Sequence, residues 1–285
     1  MSPSDDDLET RLGEAARAVL EANALYIGAG AGMGVDSGLP DFRGTEGFWK
    51  AYPPIAELGL RFEEMADPRW FMEDPELAWG FYGHRLNLYR ETIPHEGFAI
   101  LRKWGESMTG GAFVYTSNVD GHFQRAGFDK QQVLECHGSI NHFQCLHECG
   151  QEIWDAEHCL VEVDETTLRA AAPLPPCPTC GKLARPNILM FGDWGWDSFR
   201  TSEQELRHQR WLRERVTQKV TVIEIGAGKA IPTVRSECEG IATATDGKLI
   251  RINVRDSQTP QGGISLPIGG LDALQRIDVI LDKPQ

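Results

Sequence analysis

A short apolar run, Ala24 to Ile27, opens directly onto glycines at alternating positions, Gly28, Gly30, Gly32 and Gly34. A buried strand ending on such a loop constrains the fold more than any other feature of this chain. Without side chains, the backbone can turn sharply and approach a ligand closely. The spacing fits G-x-G-x-x-G in no register, so the ordinary dinucleotide fingerprint is absent. Beyond the glycines come Asp41, Phe42 and Arg43, a carboxylate, a ring and a guanidinium in a row. A ligand held here meets phosphate donors and a polar, aromatic lid.

Strand-like runs recur at Ala112–Ser117, Gln132–Cys136, Asn187–Phe191, Val220–Ile225, Leu249–Val254 and Asp278–Leu281. Helical patterns intervene at Ser4–Ala22, Pro75–Glu91, His95–Trp104, Thr201–Thr217 and Ile231–Thr243, the first with Ser4 as its cap. This alternation, with polar residues at strand ends, predicts an α/β chain with a doubly wound parallel sheet and its site along the carboxyl edge. Two stretches break the rhythm: the aromatic-rich helical segment from Phe48 to Arg90, and the loop-like, cysteine-bearing segment from Leu146 to Arg185. Both read as excursions that together build a smaller domain. No apolar run is long enough to cross a bilayer, and the N-terminus lacks the features of a signal peptide, so a cytoplasmic protein without a membrane partner is expected. A formal net charge of −14 argues against nucleic acid and mildly favours basic partners such as lysine-rich peptides.

Seven cysteines without an export signal point to thiols or metal ligands. Cys145 and Cys149 form one short knuckle, and Cys177 and Cys180, followed by Gly181, form a second. Two such pairs can complete a tetrahedral, closed structural site for Zn2+. His147, His158 and Cys159 remain available as substitutes in the ligand set, whereas Cys136 and Cys238 lie in apolar contexts and read as small core residues.

The predicted strand ends carry further polar groups. Asn118 and Asp120, beside Ser117, offer an amide and a carboxylate that complement a ligand carboxamide; the same residues also suit a turn capping the next helix. His137, freed by Gly138, is placed for general-base work near neutral pH. Gly226, Ala227 and Gly228 follow one strand, and Asn253 and Arg255 follow another. Both suit the far side of a nucleotide, glycine amides toward ribose or phosphate and asparagine toward adenine or ribose.

These pieces, in this order, resemble the sirtuin (Sir2) family of NAD-dependent protein deacylases. The resemblance rests on Gly30 to Gly44, Thr116-Ser-Asn-Val-Asp-Gly121, His137-Gly-Ser139, the four cysteines, and Cys177 through Arg185-Pro-Asn-Ile-Leu-Met-Phe-Gly-Asp193. It implies a Rossmann-type large domain (residues 1–47, 91–140 and 187–285). A smaller domain is inserted, made of a helical module (48–90) and a zinc-binding module (141–186). It implies NAD and Zn2+ as cofactors and acylated lysine peptides or proteins as partners. Gly30, Ala31, Gly32, Met33, Asp41, Phe42 and Arg43 would contact NAD, with the carboxamide held by Asn118 and Asp120 in a pocket lined by Ala31, Met33 and Phe42. Once nicotinamide leaves, the acyl oxygen attacks the ribose. His137 then acts as base on a ribose hydroxyl, giving free lysine and O-acyl-ADP-ribose. Phe191 and Gly192 would line the acyl-lysine site, and Trp194 to Trp196 would run beside the substrate backbone by strand addition. An ADP-ribosyltransferase or NAD hydrolase of the same family is the alternative, and a non-catalytic nucleotide sensor a third.

The chain departs from the family pattern at Gly34 (usually Ser), Ser117 (usually Gln), Ala227-Gly228 (usually Thr-Ser) and Asp193 (usually Glu). Each exchange is expected to remove or shorten a polar contact around the sugar. Tyr82 and Arg85, three apart on a helix, resemble the Tyr-x-x-Arg signature of desuccinylase-type sirtuins, in which the pair receives the distal carboxylate of the acyl group.

Overall fold

The computed structural model describes residues 5–40 and 45–283. Ser4, and with it the expected first helix cap, and Asp41, Phe42 and Arg43 lie outside them.

The chain opens with helix α1 (Asp5–Leu20) and strand β1 (Ala24–Ala29), all six residues of which are buried. Four short helices follow, α2 (Thr45–Ala51), α3 (Pro53–Glu57), α4 (Phe62–Met65) and α5 (Trp70–Glu73), and then the long α6 (Pro75–Glu91). Next come α7 (Glu96–Ser107), β2 (Ala112–Thr116), α8 (His122–Arg125), β3 (Val133–Glu135) and β4 (Gly138–Cys145). Three two-residue strands, β5 (Trp154–Asp155), β6 (Val163–Asp164) and β7 (Arg169–Ala170), and the five-residue β8 (Ala184–Ile188) build the cysteine-bearing region. The chain closes with α9 (Phe199–Arg213), β9 (Val220–Ile225), α10 (Thr233–Ala244), β10 (Lys248–Ile252), β11 (Ile264–Leu266) and α11 (Gly270–Leu281).

The main sheet has the order β11-β10-β9-β1-β2-β3, with every pair parallel. Its central strands are near-continuous apolar runs because both faces are covered. Alternation along β1 divides its side chains. Leu25, Ile27 and Ala29 pack with α1, α7 and α11, whereas Ala24 and Tyr26 pack with Trp211 of α9 and Val234, Cys238 and Ile241 of α10. Glu224 interrupts the apolar β9 and is wholly buried. Arg251 stands opposite it in the β9–β10 register and closes two 2.7 Å hydrogen bonds with its carboxylate. β1 pairs with β2 on one side and β9 on the other, so the chain winds away from β1 in both directions. The loop after β1 therefore sits at the topological switch point, where open α/β sheets hold ligands.

A second core joins the helical excursion to the antiparallel sheet β5-β4-β8. α6 is buried on most of its circumference, including Trp79, Phe81, Tyr82, Leu86 and Tyr89. Gly80 permits this: a Cβ there would stand 1.9 Å from the Leu168 carbonyl oxygen.

Two expected strands are corrected. Asn187–Phe191 was expected in the parallel sheet, but the strand is Ala184–Ile188 and pairs antiparallel with β4. Asp278–Leu281 is the last turn of α11. Its apolar run continues a helical stripe through Ala273, Leu274 and Ile277, and so short a run cannot distinguish strand from helix by itself.

Candidate active site

The two glycine loops meet backbone to backbone above β1 and β9. Gly30 N–H donates to Ile225 O (2.9 Å), and Gly32 N–H to Gly226 O (3.1 Å). A Cβ on Gly30 would lie 2.7 Å from the Ala227 Cα, and one on Gly226, whose φ is +63°, would lie 2.5 Å from Gly32 backbone atoms. No other residue fits at either crossing. The first loop continues as tight turns at Ala31–Met33 and Val35–Ser37. Ala31 is exposed, but the Met33 side chain is wholly buried in the core under the loop, so the expected pocket lining by Met33 is confined to its main chain. His95 clamps that main chain: its Nε2 lies 2.9 Å from Met33 O, and its Nδ1 accepts from Gly97 N–H at the start of α7. With Nδ1 accepting, Nε2 carries the proton. Asp36 accepts from Leu271 N–H of α11 (2.8 Å) and ties down the far end of the loop. Gly34 has its own local reason. A Cβ there would come 2.8 Å from Leu39 Cδ1, the flexible end of that side chain, so a serine would require Leu39 to shift.

Asn118 faces this loop from the turn after β2, and Asp120 follows it in the same turn. Thr116 Oγ1 donates to Ala29 O (2.9 Å) and accepts from Asn118 N–H (3.0 Å), while Asn118 Nδ2 donates to Gly30 O (3.1 Å). Ser117 N–H donates to Ala29 O (3.1 Å). Asp120 is buried and accepts from the main-chain N–H of His122 (2.9 Å), so it does cap the following turn. His137 leaves β3 immediately before Gly138, whose φ of +76° turns the chain into β4. The imidazole is half-buried. Burial pushes its pKa below the ordinary histidine value, and a hydrogen bond with the Ser117 backbone pulls it partly back. The net lowering keeps the ring neutral at pH 7, as a general base requires.

On the other side, Ala227 is buried beneath Gly226 and Gly228. Asn253 is committed to its own loop. Its Nδ2 donates to Ala227 O (2.8 Å), and its Oδ1 accepts from the N–H groups of Arg255 and Asp256 (both 3.0 Å). Both polar atoms of its side chain are thus engaged with the backbone of the two loops. Arg255 itself is exposed. Behind these loops Arg235 donates to the carbonyls of Asp256 and Gln258, and Arg251 to that of Gln258 (2.5 Å). The sequence reading missed both arginines; the signal was Glu224 standing alone in an apolar strand.

The segment Phe191 to Trp196 projects from the small sheet. Phe191 is partly exposed, its N–H donates to Ala66 O, and its ring meets Phe62 edge-on at 6.1 Å. Gly192 takes a φ of +66°. Asp193 does not face this surface. Its carboxylate is buried in a bidentate pair with Arg185 and also accepts from Met190 N–H. The expected loss of a sugar contact at Asp193 is therefore corrected: the shorter side chain anchors the loop from inside. Trp194 is fully exposed, and Trp194-Gly195 forms a turn whose Gly195 carbonyl accepts from Gln144, not the extended edge expected for strand addition. Tyr82 and Arg85 share the inner face of α6. Tyr82 stacks on Phe71 (5.7 Å, 25°), and the Arg85 guanidinium lies over the rings of Phe62, Phe81 and Tyr89. Burial opposes its charge, but Tyr89, Tyr52 and Tyr82 around it outweigh that and hold the Arg85 pKa above its ordinary value.

The four cysteines converge. Cys145 and Cys180 lie 3.7 Å apart, Cys149 and Cys177 3.6 Å, and all four sulfurs fall within 4.8 Å of one another. A tetrahedron with zinc–sulfur bonds of about 2.3 Å has edges of about 3.8 Å. The donor set and spacing fit one Zn2+ with no open position. Positive φ at Glu148, Gly150 and Gly181 forms the knuckle turns, and His147 N–H donates to Cys145 Sγ. His147, His158 and Cys159 are not among these converging ligands.

Comparison with known proteins agrees with this geometry. The Sir2 family model matches residues 30–213. An NAD-dependent protein deacylase of Aquifex aeolicus is 37% identical over 58% of this chain, an alignment that covers 59% of that protein and so less than two thirds of it. One of Thermus thermophilus is 29% identical over 93% of this chain and 92% of its own. A solved mutant Sir2 homologue in complex with ADP-ribose superposes with a TM-score of 0.70 at 26% identity, covering 94% of this chain and 95% of that one. With its glycine loops at the switch point, its histidine at the sheet edge and its four-cysteine cluster, this chain belongs to the Sir2 family.

Proposed function

We propose that this chain is an NAD-dependent protein-lysine deacylase that transfers the acyl group of a modified lysine to ADP-ribose and releases nicotinamide. The observation that carries this reading is the convergence of the interlocked glycine loops, the Asn118–Asp120 turn and a neutral His137 at one sheet edge. The relatives' names support it. The crossing at Gly30 and Gly226, where any Cβ would strike the facing backbone, keeps both glycine loops close together at the carboxyl edge of the sheet, an arrangement that suits a dinucleotide. When bound, NAD supplies an electrophilic ribose carbon and a nicotinamide leaving group. Main chain at Ala31 and at Ala227 and Gly228 would hold its polar backbone, with Asp41, Phe42 and Arg43 covering it. Asn118 and Asp120 would orient the carboxamide. His137 takes a proton from a hydroxyl brought to the ring nitrogen that the Ser117 backbone leaves available. Phe191 and Gly192 would flank the lysine, and Zn2+ on the four cysteines would hold the small module in shape without entering the chemistry.

For acyl choice, Tyr82 and Arg85 would receive a distal carboxylate, making succinyl- or malonyl-lysine the preferred substrates. The buried, fully charged guanidinium beside a Phe62–Phe191 ring pair supports this. The test incubates acetyl- and succinyl-lysine peptides with NAD and follows O-acyl-ADP-ribose by mass spectrometry. His137→Ala is expected to lose about 10²- to 10⁴-fold in turnover while still binding ADP-ribose. Intact peptides at saturating NAD, or an unimpaired His137→Ala, would refute the reading. Wild-type activity should also persist below pH 6.5 and fall only as His137 protonates, because its pKa is lowered.

A further inference from the structure

Tyr89 lies one helical turn beyond Arg85 on α6, and its hydroxyl accepts from both Arg85 Nε (3.1 Å) and Nη2 (2.7 Å). Two such bonds occupy both lone pairs of the oxygen, so the only further bond open to the hydroxyl is donation of its own proton. Burial raises the Tyr89 pKa and keeps the phenol in that donor form, although Arg85 opposes the rise. The main chain of the same residue is held from the opposite direction. Its carbonyl accepts from Arg125 Nη1 (2.6 Å) and lies 3.2 Å from His122 Nε2. The main-chain N–H of His122 in turn donates to the Asp120 carboxylate. On the other flank the Arg85 guanidinium lies 5.7 Å over Phe62, which meets Phe191. One unbroken run of contacts thus leads from the Asn118–Asp120 turn, through His122, Tyr89, Arg85 and Phe62, to the partly exposed Phe191.

We infer that Tyr89 is a specificity-determining positioning residue: its hydroxyl fixes the direction of the Arg85 guanidinium for an anionic acyl group. The inference rests on the reading of Arg85 as the carboxylate receptor. A side chain that merely filled space on α6 would affect every acyl substrate alike. A residue that aims Arg85 affects only those carrying a distal charge. Tethering a guanidinium before the ligand arrives also lowers the ordering cost of binding, an effect that appears in KM.

The experiment is a double-mutant cycle on Arg85→Met and Tyr89→Phe, measuring kcat and KM for succinyl- and acetyl-lysine peptides of one sequence, with thermal melting to check folding. Tyr89→Phe keeps the ring and removes only the hydroxyl. It is expected to raise the succinyl KM about tenfold, the scale of a lost hydrogen bond to a charged group, and to leave the acetyl KM within about twofold. In the Arg85→Met background the same change should leave the succinyl-to-acetyl ratio unaltered. If Arg85→Met depresses both substrates equally, the carboxylate-receptor reading itself fails. If Arg85→Met is selective but Tyr89→Phe is uniform, silent, or additive with it, that reading stands and the role assigned to Tyr89 is overturned.

Discussion

On the side of the site proposed to hold the nucleotide, main chain holds main chain: Gly30 on Ile225, Gly32 on Gly226, Ser117 on Ala29. On the side proposed for the acyl group, side chains hold side chains: Arg185 on Asp193, Arg85 on Tyr89, Phe62 on Phe191. The first arrangement depends on the lack of side chains at two crossings and tolerates almost no variation there. The second depends on matched charges and ring contacts, each of which can be exchanged for another matched set. A scaffold of this kind can keep one cosubstrate fixed while the acyl group it accepts changes.

Three perturbations separate the two sides. The largest effect is expected from the cysteines. Cys177→Ser, or zinc chelation, removes the closure of a module with only short strands of its own. Structural zinc contributes on the order of 10 kcal/mol in small zinc modules. Circular dichroism and zinc analysis should show loss of bound metal and of acyl-peptide turnover, with the parallel sheet retained. Simultaneous melting of the sheet would show that the two cores are not separable.

Next is Asp193→Ala, which strands the buried Arg185 guanidinium. Removing one partner of a buried pair costs about 3–5 kcal/mol. Chemical denaturation should show a loss of this size, and peptide KM should rise while ADP-ribose affinity holds. An equal loss of both would contradict the division of labour.

The smallest effect expected is acid sensitivity, divided between the two sides. Burial lowers the pKa of His208, packed against Tyr26 and Phe113, and of His142 on β4, each to about 4. An unfolded imidazole protonates near 6.5, so between pH 6.5 and 4 the unfolded chain binds more protons. The stability contributed is complete above 6.5 and is lost as pH falls through that window, by up to a few kcal/mol per histidine. Replacing His208 by Phe should flatten that part of the profile for the sheet. Unchanged acid sensitivity in the variant would assign the effect elsewhere.

Much of this site was legible from residue types alone. Glycines at β1, paired thiols at fixed spacing and polar residues following apolar strands are local signals, each arising within a few residues. Tyr89 was not legible. It belongs to an aromatic-rich helix in which nothing marks one ring from another until Arg85 is seen to turn toward it. Asp193 stands where the family pattern has Glu, and from that exchange alone a shortened contact around the sugar is expected. Only packing shows that its carboxylate points inward. The Asp278–Leu281 run was taken for a strand because four apolar-rich residues carry no period of their own.

The sequence by itself determined the α/β class, the glycine loops, the paired cysteines and the catalytic candidates, because each follows from backbone freedom or donor chemistry over short distances. The tertiary structure alone decided which of those groups face one another. It turned Asn253 and Met33 inward, seated Leu39 where Gly34 leaves room, and linked Asp120 to Arg85 through His122 and Tyr89. Those outcomes depend on long-range packing and register, in which a side chain's partner lies tens or hundreds of residues away and its direction is fixed only when both cores have closed.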